Sequence, residues 1–368
     1  MKVLLITTHI NIGGVARYTL DLAKGLAKKK IKCFIASSGG DLESYFKGAN
    51  IPLFTVNLRT KFEFHPKLII AVIKLIKFVR KNKINVIHAH TRVAQIVGCV
   101  VSKFTGVPFV STCHGFFKYD RFSRKLFSCW GKKVIAISDA VKGHLVGDFK
   151  IREESVSVIY NGVDVGEYPV DLPQEEKETI RKNLGFKEGP VIGAVGRLSP
   201  VKGYNHLVHA VKEIKEYAPD TNLLIIGDGP EEKALRRLVQ NLDLEKSVVF
   251  MKSRFDARRF FPLMDIYVLP SLQEGLGLSL LEAMASSRAC VATSVGGISD
   301  VIEDTKNGLL VAPNDSHALA GAIRRLISDG EFASALRSQA RKSVEKRFSL
   351  DDTIEKTVKF YKGAINEN

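Results

Sequence analysis

The stretch Pro270-Ser271-Leu272-Gln273-Glu274-Gly275-Leu276-Gly277-Leu278-Ser279-Leu280-Leu281-Glu282-Ala283-Met284-Ala285 holds a strand end, a glycine loop and the first turns of a helix. The run Ile266–Leu269 before it is short and apolar, and Pro270 stops it. Gly275 and Gly277 permit a tight turn, after which Leu278, Leu281 and Met284 recur at helical spacing, so a helix packing those three inward is expected from about Gly277. A strand that passes through a glycine loop into a helix is the unit of a parallel α/β sheet. Free amides at the start of such a helix favour a phosphate. Glu274 before the helix and Glu282 about one turn inside it flank those amides, roughly 8 to 12 Å apart in a regular helix. A ligand with a diphosphate in the middle and hydroxyls at both ends meets this arrangement, because a carboxylate takes both oxygens of a vicinal diol. An ordinary surface glutamate and a dipole-favoured acid explain the same two residues without any ligand.

Outward from this unit, the same layout occurs twice. Strands are expected at Val3–Thr7, Lys32–Ala36, Val86–His88, Phe109–Thr112, Val134–Ile137 and Val156–Ile159. A second set is expected at Val191–Val195, Asn222–Ile226, Val248–Phe250, Ile266–Leu269, Cys290–Thr293 and Gly308–Val311, with helical segments between. A chain of 368 residues is too long for one ordinary core. We therefore expect an α/β protein of two Rossmann-like domains facing across a cleft. The N-terminal domain spans residues 1–168 and the C-terminal one 169–348, with a hinge near 165–172; the family resemblance described below implies that a last helix, 349–368, returns to the first domain. Hydrophobic content of 45% and charged content of 26% suit a globular protein. No apolar run is long enough to span a membrane, and Met1–Thr8 reads as a strand and not as a signal peptide, so a cytoplasmic location is expected. Five cysteines without C-x-x-C spacing argue against a disulfide framework or a zinc site.

The opening unit of the C-terminal domain, Val191-Ile192-Gly193-Ala194-Val195-Gly196-Arg197-Leu198-Ser199-Pro200-Val201-Lys202-Gly203, runs a buried strand into a loop with two cations five residues apart. Arg197 and Lys202 would strengthen a phosphate field there; two solvated cations on a turn are the plainer reading. Together with Ile226-Gly227-Asp228-Gly229-Pro230, the Pro270–Ala285 stretch and Val295-Gly296-Gly297, this loop resembles the donor domain of retaining GT-B glycosyltransferases of family 4. Gly13-Gly14, His114-Gly115, Ser138 and Asn161-Gly162-Val163-Asp164 resemble that family's N-terminal landmarks, so the likeness spans nearly the whole chain. The resemblance implies transfer of a hexosyl or N-acetylhexosaminyl group from a nucleotide diphosphate sugar, a UDP- or GDP-sugar, with no metal and no further cofactor. Arg197 and Lys202 would neutralise the leaving diphosphate, Glu274 would contact the donor sugar, and His114 would lie beneath it. Glu282 would hold the ribose, and Gly14, Gly196, Gly229, Gly275, Gly277 and Leu278 would complete the donor site. Two departures stand out. The family's usual A-x-G-x-P-V is here Ala285-Ser286-Ser287-Arg288-Ala289-Cys290, and its aromatic after Glu-Gly is Leu276.

The formal charge of +16 is lopsided: residues 1–165 hold 27 Lys+Arg against 10 Asp+Glu, while the remainder holds 28 against 29. An anionic partner of the N-terminal half is expected, and we read it as a glycan or lipid-linked acceptor of cell-envelope polysaccharide or lipopolysaccharide synthesis, with an anionic membrane surface. No nucleic acid is expected, although Phe116–Lys133 mixes aromatics with cations in the way single-strand binders do. Pro66–Lys83 reads as a helix with Lys67, Lys74, Lys77 and Lys81 on one quarter of its circumference. His88 and His90 share one side of a strand end, suited either to a metal or to a polar strand end lining the cleft. A nucleotide-sugar epimerase, an NAD-dependent dehydrogenase and a non-catalytic nucleotide-sugar-binding protein are the competing functions; the dehydrogenase lacks G-x-G-x-x-G after the first strand.

Overall fold

The computed structural model describes residues 1–60, 62, 65–117 and 129–367. It divides into two compact units, Met1–Asn161 with Leu350–Asn368, and Gly162–Ser349. Most of the aromatic and cationic tract, residues 118–128, lies outside the described residues.

In the first unit β1 (Lys2–Ile6), β2 (Lys32–Ser37), β3 (Leu53–Thr55), β4 (Val86–Ala89), β5 (Phe109–Cys113), β6 (Lys133–Ala136) and β7 (Val156–Val158) form a sheet ordered β3-β2-β1-β4-β5-β6-β7. Every pairing is parallel, with Leu4 opposite Phe34 on one side and Ile87 on the other. Runs such as Val3-Leu4-Leu5-Ile6 are fully buried because helices cover both faces, as parallel sheets require. The edge strand β3 is missing from the sequence reading. It has three residues after Pro52, too few to show a period. The last helix, Leu350–Asn366, packs against Gly14–Lys28, where Ile354 fills the space a side chain at Gly25 would need.

The second unit holds β8 (Val191–Val195), β9 (Asn222–Ile226), β10 (Val248–Met251), β11 (Ile266–Leu269), β12 (Ala289–Thr293) and β13 (Leu309–Val311), again all parallel, ordered β10-β9-β8-β11-β12-β13. Both sheets are thus of the doubly wound, Rossmann-like kind. The sequence places a hinge at 165–172. The units divide between Asn161 and Gly162, and the segment that follows is tied into the second unit. Val163 donates its N–H to the Phe348 carbonyl (3.0 Å), Glu167 pairs with Arg258, and Tyr168 is buried beside Phe261. Leu278 is corrected: in the helix Leu278–Ala285 the buried leucines are Leu280 and Leu281, and Leu278 stays half exposed in the first turn.

Candidate active site

In an open parallel sheet, ligands sit beyond the carboxyl ends of the strands where the strand order reverses. In the second unit that place lies between β8 and β11, and the loops leaving those strands are residues 196–203 and 270–277. The two loops are bonded to each other: the Leu272 N–H donates to the Val201 carbonyl (2.8 Å). Gly203 sits at φ 61, and a side chain there would strike the Pro270 carbonyl. Gly277, at φ 89, opens the helix Leu278–Ala285, and no side chain caps that end. Gly229 has a packing reason of its own, because a Cβ would strike the Leu198 carbonyl where two loops cross. Asp228 is a loop staple, its carboxylate accepting the Ser253 N–H (2.8 Å).

The charged residues converge on this place. The Lys202 ammonium is ion-paired with the Glu274 carboxylate, with side chains 23% and 13% exposed. Ser271 donates its hydroxyl to the same carboxylate (3.3 Å), and the Gly297 N–H donates to the Glu274 carbonyl (3.1 Å). Arg197 is exposed on the loop beside Gly196, and Gly275 is buried in the turn. Glu282, half buried, accepts a hydrogen bond from the Tyr168 hydroxyl (2.9 Å). Buried Tyr204 has its phenol pKa pushed up by burial and then by the Glu274 charge. Tyr168 and Ser271 went unread in the sequence. Tyr168 stands 114 positions from Glu282, in a segment expected to be a hinge.

The first unit repeats the geometry. Its order reverses between β1 and β4, so the loop with Gly13 and Gly14 and the residues after His88 share the same end. Thr8 and Thr91 join those loops through their hydroxyls (2.7 Å). A Cβ at Gly14 meets no atom within 4 Å, so the chain itself sets no steric demand for glycine there. His114 follows β5, half buried, with Nε2 3.3 Å from Nδ1 of His90. His88 and His90 are buried, so they do not form an exposed polar strand end. His88 holds the Tyr361 hydroxyl with Nδ1 (2.6 Å) and the Thr112 hydroxyl with Nε2 (2.7 Å). Among the described residues no cluster of three or more His, Cys, Asp or Glu is arranged to hold a metal ion.

Burial, then repulsion from His114, pulls His88 from 6.5 down to about 3. The unfolded chain therefore takes up a proton there below about pH 6.5, whereas the folded chain does so only near pH 3. Stability is complete above that window and is lost as pH falls through it, by on the order of 2 kcal/mol between pH 7.5 and pH 5 for His88 alone. Denaturant titrations at the two pH values are expected to show a smaller difference for His88→Asn than for the unmodified protein. Equal differences would contradict this assignment.

The departure at residues 285–290 leaves the turn intact. Ser287 takes the left-handed conformation at φ 54. Arg288, 8% exposed, donates to the carbonyls of Ser286 (2.8 Å), Pro262 (3.3 Å), Met264 (3.1 Å) and Val170 (2.5 Å). Leu276 is 1% exposed, so its position serves the core of the second unit.

Two doubly wound domains, one with a cationic loop, an uncapped helix start and two carboxylates gathered at its switch point, define the GT-B class of glycosyltransferases. Residues 12–167 match Glycosyltransferase Family 4 and residues 176–343 match Glycosyl transferases group 1. The chain is 30% identical over 311 residues to D-inositol 3-phosphate glycosyltransferase of Acidothermus cellulolyticus, spanning 77% of this chain and 68% of the relative. It is 28% identical over 307 residues to UDP-Gal:alpha-D-GlcNAc-diphosphoundecaprenol alpha-1,3-galactosyltransferase of Escherichia coli, spanning 79% and 78%. Its structure is similar to that of HepE from Anabaena in complex with UDP and glucose, with a TM-score of 0.87 at 25% identity over 98% of this chain and 99% of the other. This chain belongs to the family 4 glycosyltransferases and is a glycosyltransferase enzyme.

Proposed function

We propose that this enzyme is a retaining transferase that moves a hexosyl or N-acetylhexosaminyl group from a nucleotide diphosphate sugar to a glycan or lipid-linked acceptor of the cell envelope. The observation that carries the reading is the Lys202–Glu274 pair set beside the uncapped start of Leu278–Ala285, with Glu282 steadied by Tyr168. Glycosyl transfer breaks the anomeric C–O bond while negative charge grows on the departing diphosphate, so stabilising that charge is the main catalytic need. Arg197, Lys202 and the amides of Gly277 and Leu278 supply positive potential there, Glu282 takes the ribose hydroxyls, and Glu274 meets the sugar. His114 and Gly14 serve the same reaction from the first domain. Retention follows a front-face course: the acceptor oxygen bonds to the anomeric carbon on the face the diphosphate leaves, and a phosphate oxygen takes the acceptor's proton. The Escherichia coli relative's name gives a UDP-sugar and a diphosphoundecaprenol acceptor, and the Anabaena structure holds UDP and glucose, which favours testing uridine donors before guanosine ones.

The test is a panel of UDP- and GDP-sugars scored for slow hydrolysis and for transfer, with the product anomer read by NMR. Hydrolysis of one donor that drops at least tenfold in Glu282→Ala is expected. An inverted product would overturn the retaining course, and conversion of the sugar on its nucleotide without acceptor would favour an epimerase.

The same proposal includes docking on an anionic membrane. No helix among the described residues is long and apolar enough to cross a bilayer. Helix Lys67–Asn82 buries Leu68, Ala71, Leu75 and Val79 against its sheet, yet Ile69, Ile70 and Ile73 are 63%, 59% and 49% exposed. At 100° per residue, Ile70 falls within the arc of Lys67, Lys74, Lys77 and Lys81, and Ile73 lies just outside it. Phe104, 63% exposed, is the neighbouring helix's contribution, its carbonyl held by Arg80. Apolar side chains ringed by cations suit an interface of acyl chains and anionic headgroups. Co-sedimentation with phosphatidylglycerol vesicles is expected at low salt, weakened several-fold by 0.5 M salt and by Ile70→Asp with Ile73→Asp. Binding indifferent to lipid charge and to both substitutions would sink the membrane reading.

A further inference from the structure

Three imidazoles stand in a row at the reversal point of the first sheet, and their hydrogen-bonding capacity does not balance. His88 and His90 alternate onto one side of β4, and His114 follows the adjoining strand β5. Both nitrogens of His88 are engaged, by Tyr361 and Thr112. His90 is 3% exposed; its Nδ1 meets His114 Nε2 at 3.3 Å, and its Nε2 is buried with no partner among the described residues. Tyr18 stands edge-on to His90 and His114, with ring centroids 5.6 and 5.0 Å away.

One proton lies between His90 Nδ1 and His114 Nε2. If His114 supplied it, the proton of neutral His90 would sit on Nε2, a buried N–H donor with no acceptor. If His90 supplies it, the unpartnered Nε2 is a bare acceptor. Orphaned buried N–H groups are the rarer defect in folded proteins. We propose that His90 is a positioning residue that locks His114 in the tautomer protonated on Nδ1, leaving that N–H as a neutral donor for a hydroxyl of the substrate sugar. Burial, followed by repulsion among the three rings, lowers the pKa of His90, and burial brings that of His114 down to about 3, so the neutral forms hold at working pH. The lock rests on the reading above that His114 contacts the sugar.

The decisive experiment is long-range 15N–1H NMR of the full chain labelled at histidine, with His90→Phe and His114→Ala variants assigning the signals. Wild type is expected to show His114 protonated on Nδ1 and bare on Nε2, and His90 protonated on Nδ1. His90→Phe is expected to restore a tautomer mixture at His114 and to lower donor hydrolysis about tenfold in kcat with UDP affinity unchanged, while His90→Asn, whose amide reaches the place of Nδ1, recovers part of the rate. Protonation of His114 on Nε2 in wild type overturns the proposal, as does an unchanged tautomer and kcat in His90→Phe. Should His90→Phe not fold, the wild-type spectrum together with His90→Asn decides. A wild type with the expected tautomer whose His114→Ala variant turns over donor normally defeats the sugar contact at His114. His90 then has no part in the reaction, and that failure differs from a wrong tautomer.

Discussion

Lys202→Ala is expected to lower donor turnover by about 10² to 10³-fold, the scale seen when one preorganised group facing a developing anion is removed. Lys202 ends the short turn Pro200–Lys202, and Gly203 follows in a conformation that lets the loop pass the Pro270 carbonyl. The backbone thus fixes where the Lys202 side chain starts, and the Glu274 carboxylate holds its ammonium. Without donor, Glu274 neutralises it. On the proposed function a diphosphate would compete for the same charge, with an attraction that grows as the anomeric bond breaks, so removal should fall on kcat more than on UDP affinity. Lys202→Arg keeps the charge and is expected to recover part of the rate. Glu274 retains its bond from Ser271 in either variant, which limits collapse of the loop. Steady-state hydrolysis with a UDP titration of each variant checks this; a change of less than threefold in kcat would remove Lys202 from the leaving-group site.

Arg288→Ala is expected to cost about 3 to 5 kcal/mol of stability, because the guanidinium is buried and four carbonyls lose a donor at once. Burial and the neighbouring Arg337 disfavour its charge, so the carbonyls and the opposing charge of Asp265 are what make the position tenable. Ser287→Gly, at φ 54, is expected to gain about 0.5 to 1 kcal/mol by relieving left-handed backbone strain. The two substitutions are neighbours with opposite signs, and urea unfolding measures both. A midpoint unchanged by Arg288→Ala would mean that the four hydrogen bonds add nothing.

The repeated strand-loop-helix pattern, the division into two Rossmann-like domains and the cationic and acidic loops at 196–203 and 270–282 were legible along the chain, because each is a local matter of period, glycine and proline. Helix start Gly277 and the strand runs needed no distant partner to be read. The placement of Lys202 against Glu274, by contrast, was not legible. Those residues meet across 72 positions because β8 and β11 are neighbours in the sheet.

Other features had no local signal at all. Tyr168 reaches Glu282 from a segment expected to be a hinge, and only packing on Phe261 shows that it belongs to the second unit. The isoleucines of Lys67–Asn82 had the right period for burial; the sheet accepted one stripe and left Ile69, Ile70 and Ile73 outside. His88 and His90 fitted either a metal or a polar strand end. Their neighbours Tyr361, Thr112 and His114 arrive from the last helix and from the end of β5, and these decided the matter. What the sequence determined by itself is the set of local units and the charges they carry. Which charges face one another, and which apolar side chains lose access to water, depended on strand order and packing, because those contacts join residues that only folding brings together.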